Sequence, residues 1–206
     1  MNSNKTILDL CGGTGAWSQP YADAGYDVRV VTLPEQDVVS YASMVIDEHL
    51  IEPGCVRGIL AAPPCDHFSV SGAQYWPQKD ADGRTALALD IVDACLDLID
   101  YLNPFWWALE NPVGRLKGLR AHRFYGLSGT PEPRLKFDPC DYGDPYTKKT
   151  LLWGRFKIPT PNKVTPEKVC RQGSWLMKLG GKSDKTKRLR SITPPGFAKA
   201  FFEANP

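Results

Sequence analysis

The chain has 206 residues, 42% of them hydrophobic, enough to bury one core with little left for a second full domain. No apolar run approaches the roughly 20 residues of a membrane helix, and MNSNKTILDLC does not read as a secretory leader, so a cytoplasmic protein without membrane attachment is expected. The formal charge is only +2, and the six cysteines show neither a C-x-x-C nor a Cys/His zinc spacing, which excludes a structural metal site and implies reduced thiols.

In chain order, TILDL (6–10) reads as a short buried strand that breaks into CGGTG. A helix to about Ala24 follows, with Ser18 and Pro20 suited to its first turn and Gly25 to its stop. DVRVVTL is a second strand, and VRGILAA a third that ends at Pro63-Pro64. Residues 85–102 have helical periodicity and stop before Asn103-Pro104. FWWALE is the next strand and ends at Asn111-Pro112. Residues 131–166 are proline-rich with short strand signals such as TLLWG, and SITPPGFAKAFFEA reads as a terminal helix. Alternating strands and helices predict an α/β fold of the Rossmann-like kind, a mainly parallel twisted sheet with helices on both faces.

Charge is unevenly spread. Residues 155–190 carry 11 Lys/Arg against Glu167 and Asp184, a net +9, while the remainder, with 14 basic and 21 acidic residues, carries −7. A basic segment on an acidic body is the footprint of a polyanion partner, or else a solvated loop.

Three stretches carry chemistry. In LDLCGGTG a strand breaks into Gly12, Gly13 and Gly15 before a helix, which lets the backbone approach a ligand closely. Many nucleotide-binding folds and some plain turns share that pattern. In ILAAPPCDHFS, Cys65 follows the carboxyl end of a predicted parallel strand, where open α/β sheets place their ligands, and the two prolines direct its thiol. The other reading is a cysteine packed as a small hydrophobe, but a core cysteine is seldom followed at once by Asp66, His67 and Ser69. In WWALENPVGRL, Glu110 and Asn111 close another buried strand. Asn111 and Pro112 also suit the N-cap and first position of a following helix. That leaves Glu110, whose burial at the end of a hydrophobic strand raises its pKa and favours the protonated acid. A thiol and such an acid beside a glycine loop suit covalent catalysis.

The order LDLCGGTG, APPC, ENP, YGDPYTKKT and RSITPPGFAKAF resembles the DNA cytosine-5 methyltransferase family, in particular its short phage and prophage members, over nearly the whole chain. The resemblance implies transfer of a methyl group from S-adenosylmethionine to carbon 5 of a flipped cytosine in DNA, through a covalent adduct on Cys65. It implies catalytic roles for Cys65, Glu110, Asn111, Lys148 and Arg190. Asp9, Cys11, Gly12, Gly13, Thr14, Gly15, Trp17, Thr32, Asp37, Val38, Ala62 and Pro64 would surround the cofactor, with Asp37 at the adenine amino group and Asn111 holding the proline-cysteine loop. DNA contacts fall to Ser69, Gln74, Tyr75 and Trp76 in the loop after Cys65, unless that loop packs on the body, and to Arg84, Lys149, Lys182 and Lys187. Residues 1–154 form the expected catalytic domain, 155–189 a reduced basic DNA-contacting segment, and 190–206 a helix packing back on the body, in a protein expected to be a monomer.

The chain departs from the family pattern in places. Thr32-Leu33 replaces the ribose-binding acid, and Tyr146 and Thr150 replace two members of the Q-x-R-x-R motif. The final Asn-containing motif has no counterpart before Pro206. With only about 35 residues between TLLWG and Arg190, short or relaxed sequence specificity is expected. The alternatives are an enzyme acting on cytosine in RNA or in a free nucleotide, and a catalytically silent DNA-binding relative.

Overall fold

The computed structural model describes residues 5–168, 175–179 and 183–206. Strands β1 (Thr6–Leu10), β2 (Asp27–Val31), β3 (Gly58–Ala61) and β4 (Trp106–Pro112) run parallel. With β5 (Leu135–Phe137) and β6 (Thr150–Arg155) they form one sheet in the order β2-β1-β3-β4-β6-β5. β6 is antiparallel to both β4 and β5, so it alone runs against the other strands.

Alternate residues of the central strands serve opposite faces, as a period of two requires. Leu8, Leu10, Ile59, Ala61, Trp107 and Leu109 join one apolar cluster. That cluster is covered by α2 (Val38–Asp47), α4 (Arg84–Leu102) and α5 (Leu116–Ser128). Ile7, Leu60, Trp106, Ala108 and Leu152 join the other, beneath α1 (Gln19–Asp23) and α7 (Pro195–Ala204). The fold is therefore α/β with helices on both faces, as its strand and helix signals implied. α4 shows the local logic. Ala88, Val92, Cys95, Leu96, Ile99 and Leu102 recur on one buried stripe. Asp93 and Asp97, on the outer side, pair with Arg120 at 2.6 Å and Arg123 at 2.5 Å.

Two local readings change. Ser18 precedes α1 but makes no capping bond, because its hydroxyl donates instead to Asp9 Oδ2 at 2.6 Å. Asn111 and Pro112 do not cap a helix: β4 continues through both, opposite Leu151 and Thr150 of β6, and α5 starts only at Leu116. A short α3 (Trp76–Ala81) lies in the loop after Cys65, and α6 (Asp184–Ser191) precedes α7. No helix among the described residues is long and apolar enough to cross a membrane.

Candidate active site

The carboxyl ends of β1, β3 and β4 meet at one edge of the sheet, and each delivers one of the three stretches. β1 gives way to the glycine loop. Cys11 N donates to Val31 O at 2.7 Å and Gly15 N to Gly12 O at 3.0 Å, so the loop folds back on itself. A side chain at Gly12 is impossible, since its Cβ would stand 2.4 Å from the Asp9 carboxyl carbon. Gly13, at φ +56°, has open space where a Cβ would be. Asp9 lies wholly buried beneath this loop. Burial pushes its carboxyl up to about 6, against the opposing hydrogen bonds from Ser18.

β3 carries the loop of Cys65. Ala62 N donates to Leu10 O at 2.9 Å, tying it to the end of β1. The buried Asn111 donates Nδ2 to the Pro63 carbonyl at 3.3 Å, tying it to the end of β4. Beyond Cys65 the chain turns at once, with Phe68 N and Ser69 N both donating to Cys65 O, at 3.0 and 2.9 Å. Phe68 is fully buried, and Arg115 clamps the loop through Nε to His67 O at 3.1 Å and N to Phe68 O at 2.9 Å. The cysteine itself is exposed. Protein atoms crowded around the thiol and the Glu110 carboxylate nonetheless push it up to about 11, with Lys148 acting the other way.

Glu110 is raised by burial, again opposed by Lys148. The two residues line a cavity of about 20 Å³ together with Trp17, Ala62, Phe197 and others, room for about one water. Cys65 is not part of its wall. Lys148 thus acts on both Cys65 and Glu110, favouring the thiolate and the carboxylate together.

The remaining sequence candidates scatter. Asp37 caps α2, its Oδ2 accepting from Ser40 N at 2.9 Å, and Val38 turns its side chain into the core. Thr32 O accepts from Gln36 N at 2.9 Å. Pro64, Gln74 and Tyr75 are exposed, whereas Trp76 is half-buried with the Arg115 guanidinium 4.7 Å from its ring centre. Ser69 caps the turn after it and lies within hydrogen-bond distance of Ser71 Oγ, at 2.9 Å. Arg84 is held by Asp82 and Lys149 by Asp138. Arg190 is exposed, with Nη2 3.4 Å from Leu176 O, and its neighbour Ser191 lines the cavity in its place. Lys187 lies on α6, and Lys182 falls outside the described residues.

Sequence reasoning missed Thr193, Pro194 and Phe197, which line the cavity together with Glu110 and Lys148. Phe197 packs 6.1 Å from Trp17, ring centre to ring centre. The signal was the TPPG run at the start of α7, read as part of a terminal helix and of the RSITPPGFAKAF motif but not as a cavity wall.

No protein-family model matches the chain. It is 26% identical over 182 residues to the type II methyltransferase M.DdeI of Desulfomicrobium norvegicum. That alignment covers 75% of the chain and 41% of the relative, so the chain spans less than half of that protein's length. Its structure is similar to a crystal structure described as a DNA modification methyltransferase encoded within an E. coli prophage. The TM-score is 0.51 at 20% identity, covering 87% of this chain and 55% of the other. The chain has a methyltransferase fold. In this chain the glycine loop, the Cys65 loop and the end of β4 occupy one edge of the sheet.

The loop also fits a bound cofactor. Its backbone is exposed at Gly13, and Trp17, in the cavity wall, has an indole N–H with no acceptor among the described residues. Gly12, Gly13, Thr14 and Trp17 are the residues positioned to hold one.

Proposed function

We propose that the protein is a DNA (cytosine-5)-methyltransferase in which Cys65 is the covalent nucleophile and Glu110 the acid. The observation that carries this reading is the bond from Asn111 to Pro63, which joins the Cys65 loop to the strand end bearing Glu110 beside the glycine loop.

Carbon 5 of cytosine is a poor nucleophile while the ring is aromatic. The Cys65 thiolate adds to carbon 6, forming an S–C bond, and the displaced electrons run to ring nitrogen 3, where Glu110 delivers a proton. The base is then enamine-like and nucleophilic at carbon 5. S-adenosylmethionine, when bound by Gly12, Gly13, Thr14 and Trp17, supplies the activated methyl group. Loss of the carbon-5 proton to water expels Cys65 as thiolate, and return of the nitrogen-3 proton to the Glu110 carboxylate restores the neutral ring.

The raised pKa values suit this sequence in one respect. A protonated Glu110 is ready to donate, and its neutrality removes the repulsion that raises Cys65. Lys148 stabilises the thiolate when it forms. The base must leave the stack to reach these groups, and its entry has to widen a cavity that encloses about 20 Å³.

The test supplies methyl-labelled S-adenosylmethionine with duplex DNA, single-stranded DNA, RNA or dCMP, followed by digestion and identification of the labelled nucleoside. 5-Methyldeoxycytidine from DNA is expected. Label confined to RNA or dCMP moves the substrate, and label on another base removes the cytosine mechanism.

A further inference from the structure

Arg155 and Lys157 open the basic stretch of the sequence, yet they lie away from the cleft of Cys65. β6 runs against β4, and Arg155 pairs opposite Trp107, at the amino ends of the parallel strands. Three residue steps along β4, about 10 Å at the usual strand rise, separate Trp107 from Glu110. A cavity of about 340 Å³ opens there, lined among others by Arg57, Phe105, Arg134, Arg155, Phe156 and Lys157.

Its cations lack side-chain carboxylate partners. Arg29, Arg84, Arg115, Arg120 and Arg123 each pair with a carboxylate. None of the four cations in this cavity has a side-chain carboxylate partner among the described residues. Arg57 donates Nε and Nη2 to an oxygen of Pro206, at 2.9 and 2.6 Å. Neutral acceptors aim two of the others. Arg134 donates Nε to Phe156 O at 2.6 Å. Arg155 donates Nη2 to Pro104 O at 2.6 Å and to Asn103 Oδ1 at 3.1 Å. A carbonyl fixes the direction of a guanidinium without cancelling its charge, so the like charges gathered here are relieved only by an anion. Flat surface is present too: the Arg57 guanidinium lies 5.0 Å from the centre of the Phe105 ring, and Phe105 is 65% exposed.

We propose that this cavity binds a nucleoside phosphate, with the phosphate on Arg134, Arg155 and Lys157 and the base against Phe105. The volume is at the lower end of the usual range for small-ligand sites, about 300–1,000 Å³. The ligand is either a free nucleotide or one unit of a nucleic-acid strand. The proposal is independent of the methyl-transfer reading, because it shares no residue with that cleft.

Titration calorimetry on the full chain, with AMP, inorganic phosphate and an octathymidylate as probes, tests it. Arg134 and Lys157 are exposed, so Arg134→Gln and Lys157→Glu are expected to fold, checked by an unchanged melting temperature. Saturable binding of AMP identifies a free nucleotide, and binding of the oligonucleotide alone identifies a strand. In either case each substitution is expected to weaken binding about tenfold or more. The proposal is overturned by absence of binding to every probe at millimolar concentration, or by affinities that the substitutions leave unchanged. Phosphate binding as tightly as AMP, or displacement of AMP by S-adenosylhomocysteine, overturns it equally.

Discussion

The side-chain amide of Asn111 donates to the Pro63 carbonyl across 3.3 Å, and through it two separate strand ends act as one unit. Pro63 stands two residues before Cys65 and Asn111 one residue after Glu110. Cys65 and Glu110 each therefore stand next to a short, buried piece of backbone that this bond holds.

Asn111→Ala removes that tie and leaves the buried Pro63 carbonyl without its donor. A loss of about 1–3 kcal/mol in unfolding free energy is expected. On the proposed mechanism, the methyl-transfer kcat falls by at least about tenfold because the loop loses its position, while cofactor affinity stays within a few-fold. Urea unfolding together with steady-state kinetics checks both. A fall in stability with kcat unchanged makes the bond structural only.

On the proposed mechanism, Cys65→Ser is expected to retain the fold and DNA binding but to lose methyl transfer, because a serine hydroxyl is a far weaker nucleophile toward carbon 6. DNA carrying 5-fluorocytosine traps the wild-type protein, since fluorine does not leave as a proton does. Mass spectrometry of the trapped peptide is expected to show Cys65. Attachment at Cys11 or Cys95 would remove the assignment.

Glu110→Gln moves two measurements in opposite directions. Methyl transfer drops about 10²–10⁴-fold with the general acid gone. Alkylation of Cys65 by iodoacetamide speeds up, at any pH where wild-type Glu110 is ionised, because burial and the Glu110 carboxylate together push the thiol up and the substitution removes the second of them. Lys148→Met slows the same alkylation, since Lys148 holds the thiol down. An unchanged alkylation rate in both variants would show that these charges do not reach Cys65.

Asp9 makes stability fall as pH rises. Its folded pKa of about 6 lies above its ordinary value near 4, so the native state holds a proton that the unfolded chain releases. The contribution is complete below about pH 4 and is lost as pH rises through 6. A shift of about two units corresponds to at most about 3 kcal/mol. Asp9→Asn, neutral throughout, is expected to gain stability relative to wild type between pH 4 and pH 8. Denaturant melts at pH 4, 6 and 8 check this, and a difference between the two proteins that does not change with pH contradicts it.

Much of this protein was legible in the chain because the signals were local. TILDL, VRGILAA and FWWALE carry alternating or continuous apolar runs that are strands in any environment with two buried faces, and the 85–102 stripe has helical spacing by itself. The glycine loop and Cys65 follow strand ends and Glu110 lies near the carboxyl end of β4, and in a parallel sheet all such ends fall on one edge, so their grouping followed from connectivity. Tertiary structure decided whatever depended on a partner far along the chain. Ser18 was read only as suited to the first turn of a helix, and the fold puts its hydroxyl on Asp9, while Asn111 looked like a helix cap until β6, some 40 residues later, extended β4 past it. Trp76 meets the Arg115 guanidinium over its ring, a contact between segments 39 residues apart that no local pattern announces. The wall formed by Thr193, Pro194 and Phe197, and the gathering of Arg57, Arg134, Arg155 and Lys157 at the opposite end, join segments about 20 to 180 residues apart. No period or motif encodes such a meeting, because it is fixed only when both faces of the sheet are buried and the last helix has packed.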